Sequence, residues 1–153
     1  MMSQKQTGFT LLEVLVAIIV LSVGLLGLAG LMATSMRNNH SAYQRTQAAW
    51  LAYDVVDRMR VNRKDALVND YDVPIGSATI ATPSALANAD IGDWKTTLAN
   101  SLPVGDGSVV VTVNAVTGAA SVKVIVQWDD TRGTGGVSNQ HFRVDTQLCA
   151  RKT

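Results

Sequence analysis

The sequence predicts an α+β protein in which a long N-terminal helix, membrane-spanning in its first half and amphipathic in its second, packs on a C-terminal antiparallel β-sheet. Two observations predict it. From Phe9 to Met36 the only polar interruptions are Thr10, Glu13, Ser22, Thr34 and Ser35, and about 20 apolar residues in a helix cross the hydrocarbon core of a bilayer. In the last third, apolar residues recur at every second position, the period of a half-buried strand. The chain has 153 residues; with the apolar stretch set aside roughly 110 remain, enough for one small domain.

The first element is the membrane helix. Val14 to Ala33 carries no charge. A secretory signal peptide places its small cleavage residue after the apolar run, whereas Gly8 lies before it. Glu13 needs an explanation, because a carboxylate at the centre of a membrane helix costs about 2.5–3.5 kcal/mol and less near an end. Two readings stand side by side. If the chain is cut after Gly8, the new amine of Phe9 lies one turn before Glu13 and supplies the opposite charge; otherwise Glu13 is an interfacial acid favoured by the helix dipole. Gly24, Gly27 and Gly30 repeat at three-residue spacing, each weakening the helix by about 1 kcal/mol relative to alanine. Read from the residues alone, they serve close packing through small residues.

Past Met36 the pattern becomes amphipathic and the helix is expected to continue to about residue 63. Ala48, Leu51, Ala52, Val55 and Met59 form its buried face. Asp54 with Arg58, and Asp57 with Arg60, have the spacing of surface ion pairs on a solvated helix end. Val68 to Asn88, with Asn69-Asp70, Pro74, Gly76 and Pro83, is expected to be an irregular connection. A short helix follows from about Ile91 to Leu102, anchored by Trp94 and Leu98 and ended by Pro103. Gly105-Asp106-Gly107 has the composition of a turn before a strand. Val109, Val111, Val113 and Ala115 then share one face, as do Val122, Val124, Val126 and Trp128. Beyond a glycine-rich loop, Phe142, Val144, Thr146 and Leu148 alternate with His141, Arg143, Asp145 and Gln147. Three such strands with short connections imply an antiparallel sheet, dry on one face and wet on the other.

The run Gly8-Phe9-Thr10-Leu11-Leu12-Glu13-Val14-Leu15-Val16-Ala17 resembles the type III signal sequence of the type IV pilin and pseudopilin superfamily. The resemblance covers about the first 30 residues. It implies a leader over 1–8, a transmembrane and filament-core helix over 9–36, and a pilin-like globular domain over 37–153. It implies cleavage by a prepilin peptidase between Gly8 and Phe9, N-methylation of Phe9, and a role for Glu13 in docking the subunit against a neighbour's terminal amine. It further implies a single pass through the bacterial inner membrane with the C-terminal domain in the periplasm, and partners among minor pilins and the major pilin, with a tip adhesin as a further candidate. Loosening at Gly24, Gly27 and Gly30 is suggested by pilins whose helices partly unwind in the filament. Major pilins commonly close a C-terminal loop with a disulfide, which Cys149 alone cannot do; the departure favours a minor subunit. A minor pseudopilin of type II secretion, and a membrane-anchored enzyme or binding domain, are the alternatives.

Nothing in the sequence offers chemistry. Thirteen Lys and Arg balance twelve Asp and Glu, so no nucleic-acid partner is expected. His40 and His141 stand apart, Asp129-Asp130 lacks the alternating acidic spacing of a calcium loop, and Gly133-Thr134-Gly135-Gly136 lacks the lysine of a phosphate loop. No metal site, cofactor or catalytic residue is expected. Cys149, the one cysteine, is expected to be a buried small residue, with an intermolecular bridge as the alternative.

Overall fold

A computed structural model of the chain describes residues 8–77, 84–133 and 135–149. The fold is the α+β arrangement expected. Helix α1 (Leu11–Val61) is 51 residues long, about 75 Å end to end at 1.5 Å per residue. It is followed by one short turn of helix, α2 (Arg63–Ala66), by α3 (Ala85–Ser101), and by strands β1 (Asp106–Val113), β2 (Ala120–Trp128) and β3 (Gln140–Leu148). The sheet is antiparallel in the order β1-β2-β3, with Val109 opposite Val124 and Val124 opposite Val144.

Two environments divide α1. Its residues 11–40 are all exposed, whereas Gln44, Ala48, Ala52, Val55, Val56 and Met59 are buried against the domain. The second set is the amphipathic stripe read from the sequence, with Leu51 half-buried at its border. The helix stops at Val61, where Asn62 leaves helical geometry and its N–H donates to the Arg58 carbonyl. The Nδ2 of Asn62 bonds Asp65 at 2.8 Å and the Tyr71 hydroxyl at 3.0 Å, so a polar side chain competing for local partners interrupts the expected run to residue 63. Asp54–Arg58 and Asp57–Arg60 pair at 3.0 and 2.8 Å. Arg58 also reaches Asp90 of α3 at 3.5 Å, which makes this end of α1 part of the domain rather than a wholly solvated tip.

The short helix begins earlier than its apolar spacing indicates. Ser84 caps it by accepting the Ala87 N–H at 3.1 Å, and its hydroxyl donates to Asp65, so Ala85–Asn88 belong to α3 and not to the preceding connection. The segment 69–77 is held by a backbone bridge and by side chains. Val73 exchanges both backbone bonds with Val109 at 2.9 Å, and Asp72 accepts the Val111 N–H at 2.5 Å, covering the free edge of β1. Burial pushes the Asp72 carboxyl above its ordinary range against that N–H. Tyr71 is fully buried and donates to Asp90 at 2.5 Å; burial, then this carboxylate, hold its phenol well above the usual range. Residues 78–83, including Pro83, lie outside the described residues.

Trp94 is the centre of the core. It is fully buried, and its Nε1 donates to the Leu51 carbonyl of α1 at 2.8 Å. Its ring also explains Gly107. A Cβ there would lie 2.5 Å from the Trp94 ring and 2.9 Å from the Ile125 carbonyl oxygen. Gly105-Asp106-Gly107 is therefore only in part the turn expected. Asp106 and Gly107 are paired strand residues, and the glycine is there for close approach rather than for chain reversal. Asp106 accepts from Lys95 Nζ at 2.6 Å and from the Gly76 and Gly107 N–H groups at 2.6 and 2.7 Å. Burial opposes its ionisation, but these donors outweigh it and hold the carboxyl below its ordinary value.

Two further expectations are corrected. Ala115 is not on a strand face: β1 ends at Val113, and the Asn114 side chain takes the Val116 and Thr117 N–H groups into a tight turn completed by Gly118 at φ 64. Cys149 is exposed rather than buried. It follows buried Leu148, and the two-residue period of the strand turns it to the opposite face.

Candidate processing and docking site

The site begins with the local chemistry of Thr10. At φ −80 and ψ 146 this residue is extended, and its Oγ1 accepts the Glu13 N–H at 3.3 Å while its carbonyl accepts the Glu13 and Val14 N–H groups at 3.1 and 3.3 Å. Thr10 is thus the N-cap of α1 and Glu13 its third helical residue, the spacing of a capping box. Gly8 and Phe9 lie outside the helix, and Phe9 is 82% exposed. The peptide bond between them is therefore in non-helical, exposed chain, where a peptidase can reach it. Residues 1–7, part of the expected leader, lie outside the described residues.

Glu13 sits in the first turn, where the helix dipole favours a negative charge. Among the described residues no cation approaches its carboxylate. Phe9, Val14, Ala17, Ile18 and Leu21 share a shallow apolar hollow with it, so the acid stands alone on a greasy surface. Thr10 is the residue that the sequence reading passed over. Its signal was present in Thr10-Leu11-Leu12-Glu13, a Thr with Glu three positions on.

Gly24, Gly27 and Gly30 are remote from this cluster. Gly24 is eleven positions beyond Glu13, about 16 Å along the axis. The helix runs unbroken through all three, and nothing in the chain lies within 4 Å of where their Cβ atoms would be. Ser22 and Thr34 turn their hydroxyls back onto the Ile18 and Gly30 carbonyls at 2.7 and 3.1 Å, which hides polar groups from an apolar surrounding. By length and composition α1 can cross a membrane, and its most apolar stretch has no part buried within the chain.

Residues 3–29 match the family model described as the prokaryotic N-terminal methylation motif. The chain carries a prokaryotic N-terminal methylation motif. The match supports the type IV pilin and pseudopilin superfamily, with processing by a prepilin peptidase and association with other pilins in general. Neither a curated protein nor a solved structure matches the chain.

The remaining expected positions are occupied by ordinary structural chemistry. His40 and His141 are exposed, His40 Nε2 lying 2.9 Å from Gln44 Nε2. Asp129 accepts the Thr131 N–H at 2.9 Å, and this donor, then the Thr131 hydroxyl, hold its carboxyl below the usual range. Asp130 is only 2% exposed and accepts from Ser41 of α1 at 2.6 Å, while its Oδ1 has no partner among the described residues. Gly133 and Gly136 fold tightly over it: a Cβ on Gly136 would lie 1.7 Å from the Asp130 carbonyl oxygen.

Proposed function

We propose that this chain is a minor pilin of a type IV pilus, a non-enzymatic subunit of a minor-pilin complex that primes assembly and sits at the tip, supporting twitching motility and adhesion. Prepilin peptidase cuts between Gly8 and Phe9 and methylates the Phe9 amine. Glu13, alone on its apolar surface, then meets the terminal amine of a neighbouring subunit as the helix leaves the membrane. Before assembly the helix is anchored in the inner membrane with the domain in the periplasm; afterwards residues 9–36 line the filament core, with Gly24, Gly27 and Gly30 the stretch that loosens or packs. Minor pilins, the major pilin and a tip adhesin are the partners. Within the superfamily the chain looks most like PilV, on Leu21-Ser22-Val23-Gly24-Leu25-Leu26-Gly27-Leu28-Ala29-Gly30 and on Val126-Gln127-Trp128-Asp129-Asp130.

The observation that carries the proposal is the methylation motif placed on a helix whose residues 11–40 are all exposed in the single chain. Such an apolar surface needs lipid or other helices to cover it. The test is Gly8→Asp in cells that make pili. Loss of processing together with loss of piliation is expected, and mass spectrometry of the native protein should find an N-terminus at Phe9 bearing one methyl group. An uncleaved protein that supports normal twitching defeats the proposal.

A further inference from the structure

The base of the globular domain, where α1 enters it, has a composition that the pilin reading leaves unused. Ser41 is the first half-buried residue of α1, and its hydroxyl donates to Asp130 in the β2–β3 loop at 2.6 Å. The neighbouring Asp129 N–H donates to the Pro103 carbonyl at 2.8 Å, which brings the turn after α3 to the same level. The direction of α3 agrees. Asp90 near its start contacts Arg58, and Trp94 one turn later contacts Leu51, so α3 descends antiparallel to α1 and delivers Pro103 and Val104 to the end of the domain nearest residue 41.

That end lies close to the bilayer if α1 spans it. Ser41 lies five positions beyond Met36, the last of the apolar run, a rise of about 7.5 Å. The polar headgroup region on each side of the hydrocarbon core is about 5–7 Å thick. The base exposes Val104 at 83% and Val137 at 48%. Val104 also holds φ at +51, a conformation that a β-branched residue adopts only when its surroundings impose it. Exposed Arg132 lies in the same loop, and Arg37 follows Met36 on the helix, both able to run their apolar stems along lipid and place a cation at phosphate level.

From these juxtapositions we infer that the α3–β1 turn and the β2–β3 loop form a membrane-contacting base, with Val104 and Val137 dipping into the headgroup layer on the domain's side of the bilayer and Arg132 meeting lipid phosphate. The Ser41–Asp130 bond sets the height of this base above the hydrocarbon. The inference rests on α1 spanning the membrane and adds that the domain rides on the surface before assembly instead of standing clear of it.

The test places the full-length protein, with Cys149→Ser, in vesicles of phosphatidylcholine and phosphatidylglycerol. A fluorophore is attached at Thr131→Cys, at Val116→Cys in the β1–β2 turn, or at Val23→Cys. Headgroup nitroxide lipids should quench the Thr131 site more strongly than the Val116 site, and Val104→Asp with Val137→Asp should abolish the difference. Acyl-chain nitroxides should quench the Val23 site. Quenching at Val23 with no difference between Thr131 and Val116 overturns the membrane-contacting base alone. Absence of quenching at Val23 overturns the membrane span and the base together. Crosslinking between copies at Thr131, in place of lipid quenching, overturns the base by showing that another subunit covers it.

Discussion

Removing the Ser41 hydroxyl tests how the exposed and buried halves of α1 are joined. In Ser41→Ala the Asp130 carboxylate, 2% exposed, loses the donor on Oδ2 while Oδ1 already has no partner among the described residues. An unsatisfied buried polar group costs about 1–3 kcal/mol, and more when charged, so a loss of about 2 kcal/mol or greater is expected. Asp130→Asn keeps an acceptor for Ser41 and removes the charge, and should cost less than about 1 kcal/mol. Urea unfolding of the full chain in detergent micelles reads both, because Trp94 and Trp128 are buried and report on the domain. With a urea slope of about 1–3 kcal/mol per molar, the Ser41→Ala midpoint should fall by about 1 M. A midpoint unchanged in Ser41→Ala, or a larger fall in Asp130→Asn than in Ser41→Ala, would refute the argument that a buried, singly bonded carboxylate depends on this hydroxyl.

Three other outcomes follow from the packing and the titrating groups. Gly136→Ala should prevent the β2–β3 loop from closing, since its Cβ would sit 1.7 Å from a backbone oxygen, whereas Gly92→Ala in α3 meets nothing within 4 Å and should raise stability by about 0.5–1 kcal/mol; thermal melts of the two variants should move in opposite directions. Trp94→Phe deletes the bond to Leu51 and part of a fully buried ring, and should lower stability by about 1–3 kcal/mol in the same urea assay. Asp106 is held below its ordinary value by Lys95 and two N–H groups that outweigh burial. Its contribution is thus complete above about pH 4 and lost as the pH falls through the lower folded value. The stability gap between wild type and Asp106→Asn should narrow on acidification from pH 5 to pH 2, and a gap that widens contradicts the assignment.

Much of the architecture was legible because it depends on period and length, which a sequence displays directly. The apolar run after Gly8, the stripe Ala48, Ala52, Val55 and Met59, and the alternations ending at Trp128 and Leu148 all fell where the structure has them. The methylation motif was legible for the same reason: it is contiguous. Boundaries were less so. The start of α3 was missed because Ser84 signals through one hydroxyl, and the end of α1 because Asn62 acts through bonds to Asp65 and Tyr71. Cys149 was misjudged by residue type and is exposed one position past buried Leu148, and Ala115 was misplaced by carrying the strand's period one step past the Asn114 turn.

By itself the sequence determined that this protein has an apolar helix headed by a glycine, a phenylalanine and a lone acid, followed by an amphipathic helix and a three-stranded sheet. Their signals are local: each element shows itself in the spacing of residues within a few positions of one another along the chain. Only the tertiary structure decided that Gly107 makes room for Trp94, that Asp72 covers the edge of β1, and that Ser41 is tied to an aspartate 89 positions away. Contacts of that kind carry no periodic signature, because they depend on where separate elements come to lie once the shared core has formed.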